Sequence, residues 1–295
     1  MKIAVTVDLH LKSGDQQREE AFRHIMAKLS EQGIKVLLVA GDFLDQSFGG
    51  YVEADRVAKE YPENRILVIS GNHDPKLMGR FTVENIEVIS EPELRVLNRC
   101  QFLFIPYEEG KTMSELIEPL AASDALEKGR FVLVSHGDFG GYRLKESGGE
   151  AGYFPLTRND LLEYRPASVL LGHIHAPSAT TSEVLYPGSP YPIDESEEGE
   201  RRILIYDTTT GTVDSLWLDY GPVYYSVDLF VVPDGNERVQ VQKQVRESVR
   251  AISSLYTPMK DTLWKSLPKL CSILICLVFV RWKTSNGCIG KSLGC

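Results

Sequence analysis

Five short stretches hold residue types suited to binding metal ions and moving protons. In chain order, V-D-L-H supplies Asp8 and His10, and A-G-D-F-L-D supplies Asp42. S-G-N-H-D supplies Asn72, His73 and Asp74, H-G-D supplies His136, and L-G-H-I-H supplies His173 and His175. Five of the six histidines in the chain fall in this set, and only His24 lies outside it. Imidazole, carboxylate and amide donors without a thiolate suit Mn²⁺, Fe or Zn²⁺ better than a cysteine-rich zinc site or an all-oxygen calcium site. Together they offer enough donors for two divalent cations, with Asp42 able to bridge them through its two oxygens.

Each stretch has an ordinary explanation when taken singly. G-D after a strand is a turn, D-x-H is a helix cap beside a surface histidine, and G-H-x-H is a satisfied pair at a sheet edge. N-H-D after a buried strand has no packing role. Five such accidents on successive strand ends do not account for the pattern, so a metal centre is expected.

The elements that must position these residues are legible from apolar periodicity. Strands are predicted at Ile3–Val7, Val36–Ala40, Arg65–Ser70, Glu87–Ile89, Gln101–Pro106, Phe131–Ser135, Val169–Leu171, Arg202–Tyr206 and Val213–Leu218. Helical spacing marks Gln16–Glu31, through Phe22, Ile25, Met26 and Leu29, and also Val52–Glu60 and Ser114–Lys128. A further helix is expected to start at Thr157, a good N-cap. The β-α-β-α-β order of the first third predicts a mostly parallel sheet covered by helices. The ligand stretches then follow strands and share the carboxyl edge, where α/β sheets bind ligands. Residues i and i+2 of an extended segment share a face, so Asp8 and His10 are expected to converge, as are His173 and His175. Gly41, Gly71 and Gly172 precede ligands and are expected to let the backbone approach the ions.

Length and composition set outer bounds. The chain has 295 residues, a net charge of −9, 43% hydrophobic and 25% charged residues. That balance excludes coating of nucleic acid or an anionic membrane by bulk charge. A phosphate-bearing substrate would need local positive charge, which bound cations supply. The N-terminus lacks the apolar core of a signal peptide, and Cys100 is the single cysteine of the first 270 residues, so a reduced, cytoplasmic protein without a membrane span is expected.

The ordered set D-x-H, G-D, G-N-H-D, H and G-H-x-H resembles that of calcineurin-like metallophosphoesterases, from about Met1 to Leu218. The resemblance implies a sandwich of two mixed β-sheets flanked by helices. Within that superfamily the chain is most similar to SbcD-type DNA-repair nucleases, through V-D-L-H-L, P-L-T-R-N-D-L-L-E-Y-R-P-A-S-V-L-L-G-H-I-H-A-P and Y-P-G-S-P-Y-P. Carried over by position, it implies one metal held by Asp8, His10, Asp42 and His175, and a second held by Asp42, Asn72, His136 and His173. His73 would be the general acid or transition-state stabiliser, with Asp74 behind it. The metals would be two divalent ions, Mn²⁺ first, with Fe, Zn²⁺ or Mg²⁺ as alternatives. Lys12 departs from the branch, where glycine often follows D-x-H-L, and this bears on access to the site.

The implied chemistry is in-line attack on phosphorus by a hydroxide bridging two ions about 3.5–4 Å apart. His73 would assist the departing oxygen. The implied substrate is DNA ends, cut exonucleolytically or endonucleolytically, with an SbcC-type ATPase as partner and a homodimer as the assembly. A stand-alone phosphoesterase acting on nucleotides or other small phosphodiesters is the second reading, favoured by the acidic balance. A non-catalytic metal-dependent scaffold is a third, and the intact His73 argues against it.

The expected organisation is a catalytic domain over 1–221 and the start of a cap over 222–259, where Val223–Val232 is followed by a helical stretch, Glu237–Ile252. An atypical tail covers 260–295. That tail holds six basic residues against one acidic and four of the five cysteines. Its apolar run Leu270–Val280 is too short for a membrane span of about 20 residues. The foreign composition reads as a frameshifted or truncated end, leaving the cap partial and partner docking impaired.

Overall fold

Successive residues of a strand face opposite sides of its sheet, and in the central strands of this chain both sides are apolar. The structure, a computed structural model, describes residues 1–45, 49–75, 77, 80–123, 126–140, 152–179, 183–230, 235–248, 251, 278–284 and 287–290. Two compact units emerge, one of Met1–Tyr191 with Arg201–Tyr220, the other of Pro192–Glu200 with Gly221–Cys295.

In the first unit, β1 (Lys2–Thr6), β2 (Val36–Ala40), β3 (Arg65–Ile69) and β4 (Ile86–Ile89) run parallel. Antiparallel β11 (Arg201–Asp207) and β12 (Val213–Leu218) complete a six-stranded sheet of order β12-β11-β1-β2-β3-β4. The second sheet contains β5 (Glu93–Leu97), β6 (Cys100–Ile105), β7 (Phe131–His136), β8 (Ser168–Gly172), β9 (Ser178–Ala179) and β10 (Val184–Tyr186), in the order β5-β6-β7-β8-β10-β9. Its middle strands β6, β7, β8 and β10 are parallel, and its edges β5 and β9 antiparallel.

Alternate residues sort into layers. Ile3, Val5, Leu38, Ala40, Leu67 and Ile69 meet Phe102, Phe104, Val132, Val134 and Leu170 in the space between the sheets. Leu37, Val39, Ile66 and Val68 face the other way, onto Phe22, Ile25 and Met26 of α1 (Gln16–Glu31) and Ala54 and Val57 of α2 (Tyr51–Glu60). Leu103, Ile105, Leu133, Val169 and Leu171 pack with Met113 and Ile117 of α3 (Met113–Ala122) and Tyr164 of α4 (Arg158–Tyr164). This is a sandwich of two mixed sheets flanked by helices. Asp15 caps α1, while Thr112 and Thr157 form capping boxes with Glu115 and Asp160.

The second unit contains β13 (Tyr225–Leu229), β14 (Val278–Thr284) and β15 (Gly287–Gly290), with β14 parallel to β13 and antiparallel to β15. Residues 237–248 are helical. Of the apolar run 270–280, positions 270–277 lie outside the described residues. Among the described residues no helix is long and apolar enough to cross a membrane.

Candidate metal centre

The ligand-type residues come from the carboxyl ends of β1, β2 and β3 in one sheet and of β7 and β8 in the other, so the rim is shared by the two sheets. The pairing of β1 with β2 runs on past the strands: Asp8 N–H donates to Gly41 O at 3.2 Å, His10 N–H to Asp42 O at 2.9 Å, and Leu11 N–H to Phe43 O at 2.9 Å. His136 is the last residue of β7.

The expected i, i+2 convergence is found for Asp8 and His10, on a different backbone. Asp8 and His10 lie beyond the end of β1 with φ of 50° and 45°, and His173 lies beyond β8 with φ of 91°. Asp42 has φ of 49°. Left-handed conformations cost an L-residue about 1–2 kcal/mol, and such strain concentrates at functional sites. His173 and His175 do not aim at one point. His173 Nδ1 lies 2.9 Å from Asn72 Oδ1, whereas His175 Nε2 lies 3.9 Å from Asp8 Oδ1.

Two donor sets result. In the first, ligand atoms of Asp8, His10 and His175 all lie within 4.8 Å of one another. His10 Nε2 is buried without a hydrogen-bond partner, 3.7 Å from Asp42 Oδ2. In the second, His136 Nε2 lies 2.9 Å from Asn72 Oδ1 and 3.3 Å from Asp42 Oδ2. Its Nδ1 lies 3.0 Å from Ala40 O, which aims Nε2 at Asn72 and Asp42. Nε2 of His136, Oδ1 of Asn72 and Oδ2 of Asp42 thus face one another, and once Nε2 gives up its proton a cation would satisfy all three. Asp42 borders both sets.

Burial and charge leave a matching imprint. Burial pushes Asp8 up to about 6, with Asp42 adding to it and His136 and His175 opposing. Burial holds His10 down to about 3 despite Asp42, which favours the neutral, ligating imidazole. At His136 burial pulls downward, but the carboxylates of Asp42 and Asp8 prevail and push it up to about 9. Against its own burial, Asp42 is held below the usual carboxylate range by His136 and His10. A proton on His136 supplies in part the positive charge that a cation would bring.

Two glycines make room for this arrangement. A Cβ at Gly41, where φ is +90°, would sit 2.1 Å from His136 Nδ1. One at Gly172 would meet Ala40 O at 2.2 Å and His136 Nδ1 at 2.5 Å. The role expected for these glycines, approach to the ions, is in the structure accommodation of the His136 ring.

His73 borders the first set. Its ring centroid is 4.7 Å from that of His10, and its backbone N–H donates to Asp42 Oδ1 at 2.7 Å. Asp74 does not stand behind it. Its Oδ1 accepts from Gly71 N–H at 2.6 Å and its Oδ2 from Leu44 N–H at 3.1 Å, so it ties two loops together. Two carboxylates neighbour the His73 ring: Asp42, which with His10 brings a ligand atom within 4.8 Å of one of its nitrogens, and Asp45, whose Oδ1 lies 3.6 Å from Nδ1. Asp45 and the buried Asp138, whose Oδ1 lies 3.7 Å from His173 Nε2, were missed by the reading of motifs. The only signal was a second acid two or three residues after a ligand, in G-D-F-L-D and H-G-D. Lys12 is exposed, with Nζ 3.9 Å from Asp15.

The description of a calcineurin-like phosphoesterase superfamily domain matches residues 1–211 of this sequence. The chain belongs to that superfamily. It is therefore a metallophosphoesterase-type hydrolase of a dinuclear metal-dependent family, and the residues gathered on its rim fit such a centre. Among solved structures this phosphoesterase is similar to a novel archaeal phosphodiesterase, at 15% identity and TM-score 0.40 over 74% of this chain and 100% of that one. It is similar to purple acid phosphatase PPD1 from yellow lupin (Lupinus luteus) seeds, at 13% identity and TM-score 0.45 over 73% of this chain and 52% of that one. It is also similar to the Pseudomonas putida nuclease MPE, at 16% identity and TM-score 0.32 over 72% of this chain and 86% of that one. No curated protein matches it.

Proposed function

We propose that this phosphoesterase is a phosphodiesterase acting on DNA ends, of the SbcD type, working as a homodimer with an SbcC-type ATPase. The observation that carries the chemistry is the convergence of two donor sets on Asp42 with His73 beside them. Asp8, His10, Asp42 and His175 would hold one divalent cation, and Asp42, Asn72, His136 and His173 the other, with Mn²⁺ the first choice. Two such ions activate water and neutralise charge on the phosphate.

The chain's own residues do the rest. Asp42, anchored through the His73 N–H, keeps its carboxylate ionised between the two sets. His136 is locked by Ala40 O so that Nε2 faces the centre. His73, with Nδ1 facing Asp45 Oδ1 at 3.6 Å, would use Nε2 to donate a proton to the departing oxygen.

The DNA assignment rests on the three SbcD-like stretches, and one of them has a place in the scaffold. In Y-P-G-S-P-Y-P, the Ser189 N–H donates to His175 O at 3.0 Å, so that turn supports the loop bearing the last ligand. The acidic net charge of −9 favours the second reading, a stand-alone enzyme for nucleotides or other small phosphodiesters.

Mn²⁺-dependent release of nucleotides from end-labelled linear DNA, with His73→Ala alongside, separates the readings. Nuclease function predicts release by the wild type and a loss of about 10²–10⁴-fold in the variant. Intact DNA together with hydrolysis of a chromogenic phosphodiester by the wild type would reject DNA and leave the small-substrate enzyme.

A further inference from the structure

Two buried guanidinium groups lie behind the first donor set, and the chemistry above uses neither. Arg18 of α1 is 6% exposed, and Arg201, the first residue of β11, is 2% exposed. Such cations are rarely buried, and placing them near a centre that gathers cations is electrostatically unfavourable. Their hydrogen bonds show a common use.

Arg18 Nη1 donates to Leu9 O at 3.2 Å, the carbonyl between Asp8 and His10. The rest of its side chain is fixed. Asp15 Oδ2 lies 3.4 Å from Nε, and Cζ stands 5.9 Å from the centroid of the Tyr191 ring. Asp15 is in turn the cap of α1, its Oδ1 accepting from Arg18 N–H at 3.2 Å.

Arg201 Nη1 donates to His175 O at 3.0 Å and to Ser189 Oγ at 3.2 Å. The fork geometry of a guanidinium lets one rigid group meet several acceptors, which an ammonium does less well. Leu9 and His175 belong to the two loops that deliver Asp8, His10 and His175. Asp8 and His10 in those loops have left-handed φ values that need outside support. In the second set His136 is held by other means, locked on Ala40 O, and Arg201 reaches the loop of His173 only at His175.

We infer that Arg18 and Arg201 are positioning residues of the first cation site, clamping the carbonyls of two of its ligand loops so that Asp8, His10 and His175 stand together before the ion arrives. The inference rests on the two-cation reading given above. Positioning groups behind metal ligands are typically worth about 10–100-fold in metal affinity.

Calorimetric titration of the full-length, metal-free protein with Mn²⁺ tests it, using wild type, Arg18→Lys and Arg201→Lys. Two binding steps are expected in the wild type. Each variant should weaken one step by about 10–100-fold and leave the other in place. Asp15→Asn is the companion variant. Asparagine caps a helix as well as aspartate, so α1 is retained while the carboxylate against Arg18 is lost. It should weaken the same step, and it decides the matter for Arg18 should the lysine variants fail to fold. Unchanged isotherms in the folded variants, or equal weakening of both steps, overturn the clamp while the two-cation reading stands. A wild type that takes up no Mn²⁺ overturns both.

Discussion

Substituting Gly41 by alanine tests how tightly the centre is built. Two costs add. Gly41 has φ of +90°, and forcing an L-residue into that region costs about 1–2 kcal/mol. The new methyl would also lie 2.1 Å from Nδ1, 2.4 Å from Cγ and 2.6 Å from Cβ of His136. That ring is fully buried and bonded to Ala40 O, so it cannot swing away, and overpacking of this kind costs about 1–3 kcal/mol. The sum is roughly 2–5 kcal/mol, or about 4–20 °C in Tm for a domain of about 200 residues. Gly14 supplies the control, because its φ is +79° and nothing lies within 4 Å of its added Cβ. Gly14→Ala should show only the backbone cost, and the gain from a stiffer unfolded chain is common to both variants and cancels. The assay is urea unfolding of the metal-free proteins followed by circular dichroism. Equal destabilisation of the two variants would refute the claim that His136 fills the space above Gly41.

Two further outcomes follow from the same geometry. His136 has a folded-state value raised from 6.5 to about 9. In the metal-free protein its contribution to stability is therefore complete below pH 6.5 and lost as pH rises through 9. A cation needs the Nε2 lone pair, so Mn²⁺ uptake at pH 7 should release about one proton, and affinity should rise about tenfold per pH unit toward 9. Calorimetry in buffers of different ionisation heat measures that proton, and its absence would rule out His136 as a ligand. Asp45→Asn should lower kcat with Mn²⁺ affinity intact, and on a His73→Ala background it should cost nothing more, since both act through one proton transfer. Additive losses in the double variant would show that Asp45 works apart from His73.

Much of this is legible in the sequence itself, for reasons that can be named. Helix α1 and strand β2 appear at the residues their periodicity marked, because a strong apolar stripe and the Asp15 cap agree. Edge strand β5, E-L-R-V-L, and the short β9 and β10 were not read, since charged alternation and runs of two or three residues resemble loops. The helix expected to Lys128 stops at Ala122, where Ser123 Oγ turns back to Leu120 O. The seven ligand-type residues declared themselves by type and order, but the left-handed backbones of Asp8, His10, Asp42 and His173 did not. Arg18, Arg201, Asp45 and Asp138 stayed invisible because their partners are set by tertiary contact, as Asp138 is with His173 and Arg201 with His175.

The sharing of the rim between two sheets makes the centre a lock on the sandwich. Asp42 follows the end of β2 in one sheet and His136 ends β7 in the other, and between them the two layers meet largely through non-directional apolar packing. No segment shorter than the span from Asp8 to His175 contains all the donors, so neither sheet alone can hold the full complement. An ion bound across them binds only the docked pair, and at a hundredfold excess over Kd it would add about 2.7 kcal/mol to cohesion between the layers. Chelation should then loosen the seam before it unravels either sheet, so the residues that serve the substrate also report whether the enzyme is assembled.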